Sequence, residues 1–479
     1  MNSNQDKVFK GISSQTLIVV IKGILEIIYF SIMSRLLTQS DFGYFAIITA
    51  VVIVLNGFSE AGLGSAIIQS SRVNEKYINT AFSLSVLLGL TFSIVLYLLS
   101  SFLSNIMTDT DILSIPFKLM SIVVLLNSLN GIARAVLMKN LNFLRYGIFE
   151  IISYLLSSLV GVILALKGCG FYAIVFSTIM NLFFMFLILY VLNRFFPRLK
   201  LDLVYVRDIV SYGGWLTGSV IIRTITEQLD KLVVSKFMPI SLIGAYNRPS
   251  GFVTQITSQV NGIFDTILFP ILSNVKENTQ QVASSYCKAV VLVQFCSFIL
   301  MSIFILGADL IIKIFFGTEW LYLVPVFQII SCSICFLAYS RIADCYFRSL
   351  GILKKYCLVR AIMCLVTIIC VIVGCQFGIT GLAVFVLISR VIETVIKEIF
   401  LRKIVCCSYF KIVNEIIQSI KVPLLFLSIG VLIKVYLNSS AFSVIFFILM
   451  LGLLLVFYPS IFGQIYKENI YNKYIKRFI

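Results

Sequence analysis

Long apolar runs recur along this chain, and two of them carry the same ion pair in matching places. Lys22-xxx-Glu26 stands in the first run, and Arg223-xxx-Glu227 stands 201 residues later. At that offset Ser34 meets Ser235, Arg35 meets Lys236, Ser40 meets Ser241 and Gly43 meets Gly244. A charged pair in hydrocarbon costs several kcal/mol unless it faces a partner or a water-filled cavity. Its double occurrence points to two homologous halves facing a shared polar cavity, as in many transporters. The register continues at an offset of 210, where Arg145-Tyr146 meets Lys355-Tyr356, Gly168 meets Gly378, Ala173 meets Ala383 and Arg134 meets Asp344.

The chain is 60% hydrophobic and only 12% charged. Soluble domains carry about 25% charged residues, so this is a polytopic membrane protein with little room for a soluble domain. Lys7 and Lys10 precede the first run, no small-residue cleavage site follows, and the run is too long for a signal-peptide core. It reads as a retained first helix.

A spanning helix needs about 20 apolar residues. Fourteen spans can be drawn: 12–37, 42–69, 78–104, 115–138, 147–166 and 170–192; then 209–238, 242–270, 285–316, 321–347, 358–376 and 378–401; then 420–437 and 441–465. The expected fold is all-α and polytopic, with two parallel six-helix repeats plus two C-terminal helices. The corresponding divisions are 1–193, a cytoplasmic linker at 194–208, a second lobe at 209–404, and 405–479 for the last two helices and a basic tail. With the N-terminus inside, cytoplasmic loops hold Lys139, Arg145, the 194–207 cluster and Lys355, while outer loops hold Asp109, Asp111 and Glu319, with Lys167 as the exception. That alternation follows the positive-inside rule and puts both termini in the cytoplasm. The net charge of +17 is therefore orientation charge rather than a nucleic-acid face.

Charged side chains within the spans fall into stripes. Lys22 and Glu26 share a face of the first span; Arg223, Glu227 and Asp230 share one of the seventh. Arg134 stands with Asn127 and Asn130, Arg341 with Asp344, and Arg390 with Glu393 and Lys397; Glu60 and Asp265 are further buried acids. Lys397 is expected to snorkel toward the cytoplasmic interface. The bland interpretation of such groups is structural: ion pairs that glue helices. Against it, several helices each contribute Lys or Arg, and basic residues at depth outnumber what the local acids need. Buried positive charge wants an anionic ligand, and the guanidinium fork suits phosphate. The chain has no histidine, nucleophile elbow, metal-ligand cluster or paired-carboxylate motif. Nothing calls for a cofactor or metal, and enzymatic function is disfavoured. The cysteines, Cys332-x-x-Cys335 among them, read as small apolar filler.

Residues 34–69 read SRLLTQSDFGYFAIITAVVIVLNGFSEAGLGSAIIQ. Ser34-Arg35-Leu36-Leu37, Phe42-Gly43-Tyr44 and Gly62-Leu63-Gly64-Ser65-Ala66 make this stretch resemble the polysaccharide transporter (Wzx-type) family. These are lipid-linked oligosaccharide flippases in the superfamily that also holds the multidrug and toxin extruders. The resemblance implies a bacterial inner-membrane protein with two lobes around a cavity that opens to each face in turn. The implied substrate is an undecaprenyl-pyrophosphate-linked glycan for surface polysaccharide. Membrane lipid, a polysaccharide polymerase and glycosyltransferases are the implied partners, and nucleic acid is not. A cationic cavity would be built by Lys22 and Arg223, with Arg134, Arg341 and Arg390. Glu26, Glu60, Glu227, Asp230, Asp265, Asp344 and Glu393 would temper those charges or couple an ion. Two alternatives compete: a multidrug cation antiporter of the same fold, whose cavity would be net negative, and a non-transporting membrane scaffold, which would not need the buried charges.

Overall fold

In hydrocarbon every backbone donor and acceptor must be met within the chain, so apolar runs of this length are confined to helices. The computed structural model describes residues 2–60, 62–70, 73–140, 142–275, 279–349, 352–405, 409–437 and 439–457, and among these it contains no strand. The side chain of Asp265 lies outside the described residues. The helices are α1 (Asn2–Leu36), α2 (Gln39–Glu60), α3 (Leu63–Gln69), α4 (Glu75–Thr108), α5 (Ser114–Lys139), α6 (Phe143–Leu166), α7 (Tyr172–Leu187), α8 (Leu203–Phe237), α9 (Ile240–Val275), α10 (Thr279–Leu306), α11 (Ala308–Phe315), α12 (Val324–Ser349), α13 (Leu353–Cys375), α14 (Gly378–Val405), α15 (Tyr409–Leu437) and α16 (Ser440–Phe457). Among the described residues nine helical segments are long and apolar enough to cross a membrane, and two shorter apolar helices follow at Pro423–Tyr436 and Ser440–Gly452. The expected first, seventh and eighth spans are also helical, as α1, α8 and α9, but lie outside those nine.

Two expected spans are broken. The run 42–69 divides into α2 and α3 because Gly62 takes φ 66°, a left-handed conformation that ends a helix and suits glycine. The run 285–316 divides at Gly307 into α10 and α11. Other ends follow ordinary capping. The Asn74 side chain accepts from Tyr77 N at 2.8 Å and starts α4; Asp202 accepts from Val204 N at 3.1 Å and starts α8.

The helices form two compact units that interleave in sequence. One comprises Met1–Arg248 with Leu353–Val386, the other Pro249–Ile352 with Leu387–Ile479. In the first unit α4 and α5 meet along small residues. Ser85 Oγ donates to Ser128 O at 2.7 Å, a Cβ on Gly89 would lie 2.8 Å from Ser128 Cβ, and Ser93 Oγ donates to Ser121 O at 2.8 Å. Small residues at four-residue spacing let membrane helices approach closely. In the same unit α6 packs on α1 and α7, while α8 packs on α2 and α13. In the second unit α10 is central, touching α12, α15 and α16. Large exposed apolar side chains such as Leu98, Leu159, Leu365 and Ile369 suit a lipid-facing exterior.

Matched positions of the repeat share geometry at two places. Gly168 and Gly378 both take left-handed φ, 77° and 73°. At the starts of α2 and α9 the match is reciprocal. A Cβ on Gly43 would lie 2.1 Å from Ile240 O, and a Cβ on Gly244 would lie 1.8 Å from Gln39 O. Gln39 and Ile240 are themselves 201 residues apart. A contact in which i meets j and j meets i is the signature of a local two-fold axis. Only glycine permits it here.

Candidate functional site

Helices α1, α2, α5 and α6 assemble the ionic groups of the first unit. Lys22 donates from Nζ to Glu150 Oε1 at 2.5 Å and lies 3.6 Å from Glu26 Oε1. Arg134 Nη2 is 3.8 Å from Glu60 Oε2, and Asn127 Nδ2 donates to Glu60 Oε1 at 2.8 Å. The stripe Asn127, Asn130, Arg134 thus turns one face of α5 toward a cavity of about 190 Å³. Tyr146, Glu150 and Asn181 line the same cavity from α6 and α7.

This geometry corrects one expectation. The sequence suggested more basic charge at depth than local acids need; in three dimensions Glu150 from α6 joins Glu26 and Glu60 around Lys22 and Arg134. Three carboxylates therefore face two cations, and this cluster is not net positive.

On α8 the repeat partner is looser. Arg223 Nε lies 4.0 Å from Glu227 Oε1, beyond hydrogen-bonding reach, and has no hydrogen-bond partner among the described residues. Both side chains are partly buried, at 29% and 40% exposure. Asp230 accepts from Lys231 N at 2.9 Å, and Lys231 Nζ donates to Gln228 at 2.9 Å, so neither closes on Arg223.

The second unit holds a tighter network. Lys397 is 0% exposed, with Nζ 2.7 Å from both Asp344 Oδ1 and Glu393 Oε1, and it donates to Ser340 Oγ at 2.5 Å. Arg390 Nη1 donates to Glu393 Oε2 at 3.2 Å. The expected snorkelling of Lys397 is thus overturned. Two buried carboxylates one helical turn and one helix away hold the ammonium inside. Asp344 finds its partner in Lys397 within its own unit. Arg341 is half buried and makes no ion pair among the described residues. Beside this network, Glu398 Oε2 accepts hydrogen bonds from Tyr286, at 2.8 Å, and from Tyr339.

Three functional candidates escaped the sequence reasoning. Glu150 and Glu398 were not singled out on their spans. Arg248, near the start of α9, lies with its guanidinium carbon 3.6 Å from the ring centres of both Phe30 and Phe42. Its Nη2 donates to Phe30 O at 3.0 Å and Ser34 Oγ at 2.9 Å. That is a cation clamped between aromatic faces beside the reciprocal glycine contact. The cue available was an arginine one residue before Pro249 in an otherwise apolar run.

In architecture the chain is similar to solved transporters. It overlays a lipid II flippase MurJ in an inward closed conformation with TM-score 0.73 over 95% of this chain and 99% of that one, at 16% identity. It overlays an inward-facing multidrug resistance MATE transporter of the MOP superfamily with TM-score 0.64 over 82% and 98%, at 12% identity. In sequence it is 22% identical over 334 residues to the lipopolysaccharide biosynthesis protein WzxC of Escherichia coli K12, covering 68% of this chain and 67% of the relative. It is 23% identical over 345 residues to the succinoglycan biosynthesis transport protein ExoT of Rhizobium meliloti, covering 71% and 69%. The family model described as polysaccharide biosynthesis protein matches residues 32–325, more than half of the sequence. The chain belongs to the polysaccharide biosynthesis protein family.

Proposed function

We propose that this protein is a flippase that carries an undecaprenyl-pyrophosphate-linked oligosaccharide from the cytoplasmic to the outer leaflet by alternating access. The observation that carries the reading is Arg223. It is a partly buried guanidinium on α8, the expected seventh span, whose nearest carboxylate among the described residues stands at 4.0 Å and whose Nε lacks a hydrogen-bond partner there. A guanidinium left so loosely held suits a phosphate oxygen as its partner. The fold likeness to a lipid II flippase and the transport names of relatives such as ExoT support the same reading.

In this mechanism the lobes at 1–193 and 209–404, parallel repeats related by an axis along the membrane normal, rock against one another, both termini remain in the cytoplasm, and α15 and α16 stand apart from the exchange. Arg223 contacts the pyrophosphate while the prenyl tail stays in lipid. Lys22 and Arg134, each already beside a carboxylate, set the field around it. Glu227 and Asp230 keep the grip of Arg223 weak enough for release. The three carboxylates around Lys22 and Arg134 favour one rival, a cation antiporter of the same fold.

In cells deleted for the gene, Arg223→Ala at matched membrane levels should fail to restore surface glycan, with the lipid-linked unit accumulating on the cytoplasmic face, and Arg223→Lys should restore part. Wild-type export by Arg223→Ala would return that arginine to a structural role. Restored resistance to cationic dyes without glycan export would favour the antiporter.

A further inference from the structure

We infer that the cavity between α5, α6 and α7 is a saccharide subsite, one that reads a sugar of the glycan rather than its pyrophosphate. The inference rests on the flippase reading and deepens it.

Asn127, Asn130, Arg134, Tyr146, Glu150 and Asn181 line a space of about 190 Å³. At ~30 Å³ per water that is room for about six waters, a volume that one hydroxylated six-membered ring fills. The donor set excludes the other obvious ligands. A pyrophosphate would need an excess of cations, yet the lining offers Arg134 alone and sets the Glu150 carboxylate in the same space. A metal ion would need converging anionic or imidazole ligands, and among the described residues no group of three or more His, Cys, Asp or Glu could hold one. What remains is three amides, a tyrosine, and one arginine with one carboxylate. That mixture of donors and acceptors matches sugar hydroxyls, each of which both gives and takes a hydrogen bond. The tyrosine adds an aromatic ring for the apolar face of a sugar.

Asn130 supplies the independent sign of a ligand. It is 6% exposed; its Nδ2 donates to Leu182 O at 3.0 Å, yet its Oδ1 is buried with no partner among the described residues. A buried acceptor is costly unless met, and a hydroxyl in the cavity meets it. Position fits as well. Asn130 precedes the end of α5 at Lys139 by nine residues, about 14 Å at 1.5 Å per residue. In the proposed orientation that end is cytoplasmic, the side from which the glycolipid loads.

The test uses the full-length protein in nanodiscs, with two probes: undecaprenyl pyrophosphate, and the undecaprenyl-pyrophosphate-linked oligosaccharide extracted from the host. Wild type should prefer the glycolipid at least tenfold. Asn181→Ala and Asn130→Leu should each narrow that preference roughly tenfold, the effect of one or two lost hydrogen bonds. Asn181→Ala removes no hydrogen bond within the described residues and so guards against a folding defect in Asn130→Leu. Equal weakening of both probes would assign the cavity to the pyrophosphate and overturn the inference. So would an unchanged preference in both variants, or a wild type with no preference. A wild type that binds neither probe would sink the flippase reading itself, and the subsite with it.

Discussion

The reciprocal glycine contact makes the sharpest prediction about how this fold is held. Gly43→Ala places a methyl carbon 2.1 Å from Ile240 O, where ordinary contact begins at 3.4 Å, so the starts of α2 and α9 must part by about 1.3 Å. Gly244→Ala meets Gln39 O at 1.8 Å and demands about 1.6 Å. Both obstacles are backbone oxygens at helix starts, which cannot swing aside as a flexible side chain could. Overpacking of this kind costs about 1–3 kcal/mol. Because both methyls press on the same seam, the opening forced by the first relieves much of the second. The double variant should therefore lose about as much as the worse single, well short of the sum that independent sites give. Thermal unfolding of the purified protein in nanodiscs, followed by intrinsic fluorescence, measures all three. Additive losses would mean that the two glycines do not share one contact. Unchanged melting in both singles would remove the contact altogether.

Three further outcomes follow from the ionic groups. Lys397→Ala removes the ammonium from between two buried carboxylates, Asp344 and Glu393, and should destabilise by about 3–5 kcal/mol, with partial recovery when Asp344→Asn and Glu393→Gln are added; thermal unfolding reads both. Arg248→Met keeps much of the volume between Phe30 and Phe42 but loses the desolvated cation–π contact, a loss of about 2 kcal/mol in the same assay, and Arg248→Lys should recover only part. Glu150→Gln leaves Lys22 with Glu26 alone at 3.6 Å and should slow export on the order of tenfold at matched protein levels, equivalent to about 1.4 kcal/mol. Wild-type export by that variant would make the Lys22–Glu150 pair a structural tie.

How much of this was legible in the sequence depends on whether a signal is periodic or tertiary. The helices and the repeat register were legible because apolar runs and the 201-residue offset are linear patterns; Gly43 and Gly244 proved to be partners in space as well as in register. Lys22 with Glu26, and Arg390 with Glu393, were legible because a helix brings residues three and four apart onto one face. Glu150, Glu398 and Arg248 were not, because their partners come from other helices: Lys22 on α1, Tyr286 and Tyr339 on α10 and α12, and Phe30 with Phe42 on α1 and α2. A lone charge has no partner at helical spacing to announce it. The same blindness hid the balance of the first cluster, where Glu150 brings a third carboxylate to Lys22 and Arg134. It also hid the enclosure of Lys397, whose place near the end of α14 suggested an interfacial lysine until Asp344 closed on it from α12. The break at Gly62 was not legible, because a glycine inside an apolar run serves close packing as readily as the left-handed φ of 66° that it takes here.

The central claim is movement of a lipid-linked glycan between leaflets, and reconstitution tests it directly. Purified protein in sealed liposomes carrying the undecaprenyl-pyrophosphate-linked oligosaccharide should bring the inner-leaflet pool within reach of a glycosidase added outside. Cleavage should rise from the outer-leaflet half toward completion, and Arg223→Ala should hold it at the half. Cleavage that stops at the outer-leaflet half with wild-type protein, while the same liposomes exchange a cationic dye across the membrane, would contradict the account.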